Sequence, residues 1–465
     1  MEGRYAVLAP DWLLRGFADR PAVLYDWRTG EVHTLSACGG YVARACDGAT
    51  DFTAPFFLPA HVATLDLMIE QGMAVECPRG TGLDPRQRLR TAPNRHLTFA
   101  NWAVTGRCNL RCRHCYMDAP TARYGELPTG DMVRIIDQFE RAGVQRVHLT
   151  GGEPLLRDDL WDLVRELTER RIGVHQISTN GLLLDDEALA RLRDCDVDPI
   201  IHFSYDGLGS HDSMRGLDDV EGPTLDAVRR AVAAGFRASV TSSLDAATAE
   251  GIAGALDLIA GLGVFAWHVS APIGVGCWSG SSTGLSLARQ AAVSERVLRR
   301  WLELDRPLTL TLCGMYAGSP GGFEEPREPL HRCVPEDMHC GALLNDTVYV
   351  MPEGRIIPCP RFIDTPIQEA MPSLLDVELS EAWEDPAMRR LVEVTKAQIL
   401  DRNPECAACD DFGDCGAGCW AVAYRQTGDL YARDLAACQL WKSGYRERLF
   451  AVAGEDYPRA VEAMR

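Results

Sequence analysis

From about residue 97 the chain alternates short apolar strands with amphipathic helices, and that rhythm limits its fold more than any other feature. Strand-like "LTFANWAVT" comes first. The helix "GDMVRIIDQFERAG" is then followed by "VQRVHLT", "DLWDLVRELTERR" by "GVHQIST", and "DEALARLRDC" by "PIIHFSYD". Two more units, "TLDAVRRAVAAG" with "FRASVTSSL" and "AEGIAGALDLIAGLG" with "FAWHVSAP", complete the series. Repeated βα units build a parallel sheet, either open or rolled into a full or partial barrel. In such folds chemistry sits on loops beyond the carboxyl ends of the strands. Three polar loops fall there: "CNLRCRHCYM" (108–117), "TGGEP" (150–154) and "STNG" (178–181), which would line one mouth.

The cysteines are the second constraint. There are 17 in 465 residues, and the N-terminus lacks the basic-then-apolar pattern of a secretory signal. A cytoplasmic chain keeps its thiols reduced, so clustered cysteines point to metal or redox work rather than disulfides. Three lie at 108–115, three at 333–359 and five at 406–438. The scattered six (Cys38, Cys46, Cys77, Cys195, Cys277 and Cys313) read as small buried residues. A net charge of −19 argues against nucleic-acid binding, and no apolar run reaches membrane-spanning length.

Cys108, Cys112 and Cys115 lie within eight positions. A structural zinc site takes four protein ligands, and beyond His114, inside the loop, no fourth is nearby. An iron–sulfur cube held by three thiolates leaves one iron open to a chelating ligand. The C-x3-C-x2-C spacing, with a ring just before the third cysteine, resembles the signature of the radical S-adenosylmethionine (radical SAM) enzymes. That resemblance implies a partial (β/α)6 TIM-like barrel, with a 4Fe–4S cluster on the three cysteines that binds S-adenosyl-L-methionine. Reductive cleavage of this cofactor yields a 5′-deoxyadenosyl radical, with the electron expected from a flavodoxin- or ferredoxin-type donor. It also implies cofactor contacts from His114, from Gly151, Gly152 and Glu153 of "TGGEP", and from Ser178 and Asn180 of "STNG". Ser204 and Arg215 in "SYDGLGSHDSMRG" complete that set, with Glu153 expected to accept from the ligand's ammonium.

Further on, Cys340, Gly354 and Cys359 form C-x13-G-x4-C, and Cys406, Cys409, Cys415, Cys419 and Cys438 form C-x2-C-x5-C-x3-C-x18-C. This resembles the SPASM extension of radical SAM enzymes, which carries two auxiliary 4Fe–4S clusters. The resemblance assigns Cys333, Cys340, Cys359 and Cys419 to one cluster, and Cys406, Cys409, Cys415 and Cys438 to the other. Two four-cysteine zinc sites would have the same spacing. Beyond about residue 325 the segments are short, which suggests support from metal rather than from a large core.

Residues 1–80 read as hairpin ("AVLYDWRTGEVHTLS"), helix ("ACGGYVARACDG", ending at Gly48), helix ("LPAHVATLDLMIEQG") and strand ("MAVEC"). The pattern resembles the winged-helix-like leader-peptide recognition element of peptide-modifying enzymes, in which a leader adds to a sheet edge as an extra strand. The expected organisation is thus α/β: a recognition domain at 1–80, a linker at 81–96 and the radical SAM core at 97–324. A cysteine-rich cluster domain at 325–445 and a C-terminal helix at 446–465 follow. The function implied is maturation of a ribosomally made precursor peptide, by an intramolecular thioether or carbon–carbon cross-link. Competing readings are epimerisation, cleavage or sulfatase-type oxidation on the same core, and a non-catalytic iron–sulfur electron-transfer partner. In sulfatase maturation enzymes an aspartate follows the cysteine of G-x4-C; here Cys359 is followed by Pro360 and Arg361. Epimerases use a hydrogen donor, for which Cys277 and Cys313 are candidates, and Tyr205 and Asp206 stand where substrate contact or helix capping would place them. No general base is assigned.

Overall fold

The computed structural model describes residues 3–281, 283–320, 340 and 346–455. Its centre is a ten-stranded sheet whose parallel strands are β7 (Phe99–Thr105), β8 (Arg146–Gly151), β9 (Gly173–Thr179), β10 (Ile200–Ser204), β11 (Ala238–Ser243), β12 (Ala266–Ser270) and β13 (Thr309–Leu312). They lie side by side in chain order, as right-handed βαβ crossovers dictate. β14 (Tyr316–Gly318) pairs antiparallel with β13 at one end. At the other, β15 (Thr347–Val350) runs parallel to β7 and carries the antiparallel β16 (Ile356–Ile357). The sheet does not close, which agrees with a partial barrel, but it extends beyond the six strands expected. The expected boundary at 324/325 also falls inside it, because β15 is part of the core sheet.

The crossover helices form because their apolar residues recur on one face. Thr129–Ala142 buries Met132, Ile135, Ile136, Phe139 and Ala142, and stops at Gly143, whose φ of 85° lies in the left-handed region. Leu160–Glu169 buries Leu160, Leu163, Val164 and Leu167. Leu287–Glu303 starts at Ser286, whose hydroxyl accepts from the Arg289 amide.

In the front unit β1 (Ala6–Leu8) pairs with β5 (Ala74–Glu76). A second sheet has the order β4 (Val32–Thr34), β3 (Arg20–Asp26), β2 (Trp12–Phe17), β6 (Arg90–Thr91). The expected hairpin is β3–β4, in register from Tyr25 opposite Val32 to Val23 opposite Thr34. The first helix, Ala37–Ala45, ends sooner than Gly48 because Cys46 leaves the helical conformation. The expected linker at 81–96 is not free chain. β6 pairs with β2, and the buried Gln87 amide donates to the Ala9 carbonyl at 2.6 Å and to that of Trp12 at 3.1 Å.

The C-terminal part is not held by thiols alone. Phe362, Trp383, Met388, Ile399, Trp420 and Phe450 are buried and continuous with the barrel core. Gln138 ties the two together, donating to the Leu374 carbonyl at 2.7 Å and accepting from the Leu379 amide at 2.9 Å. The final helix is two, Leu435–Lys442 and Tyr445–Ala453, broken at Gly444 (φ 73°); residues 456–465 lie outside the described chain. No helix among the described residues is long and apolar enough to cross a membrane.

Candidate active site

The three-cysteine loop leaves the carboxyl end of β7 and is gripped from several sides by backbone. Thr105 and Arg107 carbonyls accept from the amides of Gly152 and Glu153, each at 2.8 Å. Arg111 and Arg113 amides donate to the carbonyls of Arg215 at 3.0 Å and Met214 at 2.9 Å, and the Cys277 amide donates to the Cys115 carbonyl at 2.9 Å. These approaches need glycine. A Cβ on Gly152 would stand inside the Arg107 carbonyl, one on Gly151 (φ 131°) would meet that of Thr105, and one on Gly216 that of Arg111.

Each of the three thiols receives an N–H. Cys108 Sγ accepts from the Leu110 amide at 3.4 Å, Cys115 Sγ from the Ala119 amide at 3.4 Å, and Cys112 Sγ from Arg215 Nη1 at 3.6 Å. Burial pushes the Cys108 thiol up to about 12 and raises that of Cys115, so a proton leaves either only when a cation takes its place. Among the described residues no three His, Cys, Asp or Glu side chains close on a single ion. The thiols surround instead one side of a cavity of about 240 Å³. Soft sulfur donors around shared space, each with a donor to offset charge, fit an iron–sulfur cluster.

The same cavity is lined by His114, Gly151, Gly152, Ser178, Asn180, Ser204 and Arg215, seven of the eight expected cofactor contacts. Asn180 Nδ2 donates to Asn109 Oδ1 at 2.7 Å. Arg215 Nη2 pairs with Asp206 Oδ2 at 2.7 Å, which fixes its guanidinium beside Cys112. Burial lowers the His114 imidazole to about 4, so it is neutral, and its Nδ1 is buried without a partner.

Glu153 is the one expected contact that does not line the cavity. It is 1% exposed, and its carboxylate accepts from the Asn180 amide at 2.8 Å, the Thr179 hydroxyl at 2.9 Å and the Leu155 amide at 3.1 Å. Both oxygens thus accept from the protein, and Glu153 ties "TGGEP" to "STNG". Asp206 and Tyr205 are likewise internal: Asp206 Oδ1 accepts from the Ser243 amide at 2.8 Å, and the Tyr205 hydroxyl donates to Glu221 at 2.9 Å. Cys313 packs against the core, whereas Cys277 is exposed, its Sγ 3.4 Å from Asp118 Oδ1.

The sequence reading missed the cavity floor. Thr150, His202 and Thr241 line it, and His148 lies beneath, its Nε2 2.8 Å from the Ser178 hydroxyl. His202 Nε2 meets Thr241 Oγ1 at 2.8 Å. Burial holds His148 at about 3 and His202 at about 4, so both are neutral hydrogen-bonding groups. The signal was present: "RVHLTG", "IIHFS" and "AWHVS" alternate polar with apolar residues, which places the polar ones inside the barrel.

Cys406, Cys409, Cys415 and Cys438 converge on a second cavity, with Phe412, Arg433 and Trp441 around it. Burial pushes the Cys359 thiol up to about 11, with Cys419 and Cys340 close enough to add to the effect. Cys333, the fourth expected member of that set, lies outside the described residues. Tyr349 bridges this region and the first cluster loop: it is buried, its hydroxyl is 3.0 Å from that of the partly buried Tyr116, and both Cys115 and Cys359 act on it electrostatically.

Comparison with known proteins agrees with this geometry. Residues 102–248 match the model of the radical SAM superfamily. The mycofactocin maturase MftC of Mycobacterium ulcerans is 28% identical over 336 residues, covering 70% of this chain and 83% of its own. The AdoMet-dependent heme synthase of Methanosarcina barkeri is 28% identical over 346 residues, covering 70% and 92%. In fold, Streptococcus suis SuiB, solved bound to S-adenosylmethionine and also to its precursor peptide SuiA, superposes with a TM-score of 0.63 at 15% identity, covering 93% of this chain and 100% of SuiB. With the matched stretch placed on the cysteine loop and the strands behind it, the chain is an enzyme that carries a radical SAM domain.

Proposed function

We propose that this enzyme is a peptide maturase, which cross-links side chains of a ribosomally synthesised precursor through a thioether or carbon–carbon bond. The observation that carries the reading is the front unit. β4 pairs only with β3 among the described residues, which leaves its outer edge free for another strand. Val32 of β4 is 47% exposed, and elsewhere in the front unit Tyr41, Phe56 and Leu58 are exposed at 45%, 61% and 58%. An open strand edge suits an extended peptide: backbone pairing gives affinity and side-chain contacts give choice. The likeness in fold to SuiB covers 93% of the chain, and SuiB is solved with a precursor peptide, which supports the reading.

S-adenosylmethionine bound at the cysteine loop would supply radical chemistry to the substrate. The chain's own groups are placed to hold it. Cys108, Cys112 and Cys115 are its cluster ligands. Gly151 and Gly152 offer backbone where no side chain fits, Ser178 and Asn180 offer hydroxyl and amide, and Arg215 brings a fixed guanidinium. The neutral His148 and His202 orient the hydroxyls of the floor without adding charge. Cys406, Cys409, Cys415 and Cys438 would hold one auxiliary 4Fe–4S cluster, and Cys333, Cys340, Cys359 and Cys419 another. Fully ligated clusters suit acceptance of the electron released when the substrate radical closes a new bond.

Fluorescence anisotropy of the leader half of a candidate precursor peptide tests the reading. Binding that Thr34→Pro weakens at least about tenfold, by removing a β4 backbone donor that faces away from β3, supports it. A leader that does not bind the wild-type chain contradicts it.

A further inference from the structure

The barrel has a second opening, at the end away from the cysteines. There the amino ends of β8 to β11 and the turn of the front hairpin enclose a cavity of about 700 Å³. Four arginines (Arg28, Arg146, Arg193 and Arg237) face two aspartates, Asp196 and Asp198. In a chain with 66 acidic and 47 basic residues, such an excess of cations around one cavity is against the average.

The ion pairs show which charges remain. Arg28 is engaged by Asp11 at 2.9 Å and by Asp196 at 2.5 Å, and Arg193 donates to the Ala234 carbonyl. Arg146 and Arg237 have no carboxylate partner among the described residues. Arg237 lies over the Phe265 ring, 4.4 Å from its centroid, with its charge toward the opening. Arg146 is half-buried and held by close packing. A side chain at Gly30 would overlap its guanidinium, and one at Gly173 would stand 2.6 Å from the Trp27 carbonyl and 3.3 Å from Arg146 Cγ.

His175 completes the set. Burial, followed by Arg146 and then Arg237, lowers its imidazole to about 4, so it is neutral at physiological pH. Arg146 Nη1 lies 3.3 Å from His175 Nδ1 and carries only donors, so Nδ1 accepts and the ring proton sits on Nε2. Two guanidinium groups and one imidazole N–H thus meet at the cavity, and among the described residues neither guanidinium is paired with a carboxylate. A half-buried cation such as Arg146 without such a partner is unfavourable, and a multivalent oxyanion removes that cost by bidentate pairing, with the exposed Arg237 as a second clamp.

We propose that this lower mouth binds a small multivalent oxyanion, a polyphosphate or a polycarboxylate, between Arg146, His175 and Arg237. The ligand would also bridge barrel and front unit, because the Trp27–Gly30 turn forms one wall. The site is independent of the peptide reading, since it uses no residue of the cysteine loop or of the β4 edge.

Isothermal titration of the full, cluster-loaded chain with inorganic pyrophosphate, and separately with citrate, tests it. Saturable one-to-one binding of at least one anion is expected, weakening as salt rises. Preference for pyrophosphate would assign a phosphate ligand, and preference for citrate a carboxylate one. Arg237→Gln, at an exposed position, should retain the fold and weaken binding at least about tenfold; Arg146→Gln should do the same. No saturable binding of either anion to the wild-type chain, or equal affinity in Arg237→Gln, would overturn the proposal.

Discussion

The carboxylate of Glu153 accepts the backbone amide of Asn180 at 2.8 Å, so one buried acid joins the loop after β8 to the loop after β9. The two loops line the same cavity wall, and this bond sets their spacing. Burial raises the Glu153 carboxyl to about 7 from an ordinary 4.5. An acid raised in the folded state makes that state bind more protons than the unfolded chain between the two values. Its contribution is therefore present in full below about 4.5 and lost as pH rises through about 7. Chemical denaturation of the cluster-free chain should show this loss, on the order of 3 kcal/mol, and Glu153→Gln should remove that part of the pH dependence.

Gly152→Ala should be more damaging than its size suggests. The added methyl meets the Arg107 carbonyl, which belongs to the cysteine loop and cannot move without moving Cys108. We expect a stability loss of about 1–3 kcal/mol or more, and less iron per chain after reconstitution. Normal iron content with normal stability would show that the loop accommodates a side chain.

Asp206 and Arg215 are a fully buried pair at 2.7 Å, and the guanidinium also reaches Cys112. Asp206→Ala leaves that cation unpaired, at a cost of about 3–5 kcal/mol in unfolding experiments. Arg215→Lys cannot hold Asp206 and Cys112 with one planar fork, and should weaken S-adenosylmethionine binding even where the fold persists.

Cys406→Ala and Cys415→Ala test the second cysteine set. If the four thiols hold an iron–sulfur cluster, each variant should lose about four iron atoms per chain. Turnover of peptide should stop while S-adenosylmethionine cleavage continues. Zinc in the purified chain, with iron unchanged by either substitution, would favour the structural-zinc alternative.

The strand–helix rhythm was legible because each unit carries its own periodicity and stop. Thr129–Ala142 shows its buried face and its terminal glycine without reference to anything distant. β15 was not legible. Its four residues "TVYV" pair with β7, whose partner Phe99 is far away in sequence, and nothing local specifies that register. β6 was obscured by a segment rich in Pro, Gly and Arg, yet the Gln87 side chain anchors that segment on the front unit. At the site, spacing singled out the three cysteines, and the family resemblance named seven further residues that line the same cavity. The tie that Glu153 makes between two loops was not legible, because its partners come from the next loop and only packing brings them together. The floor histidines were overlooked because their strands were read for apolar residues alone.

The central claim, radical-based maturation of a peptide, is tested most directly by mass. A candidate precursor peptide that binds the front unit would be incubated anaerobically with the reconstituted enzyme, S-adenosylmethionine and a reductant. The account predicts a product lighter by two hydrogen atoms, formed together with 5′-deoxyadenosine. An unchanged peptide mass while 5′-deoxyadenosine accumulates would contradict cross-linking of that peptide.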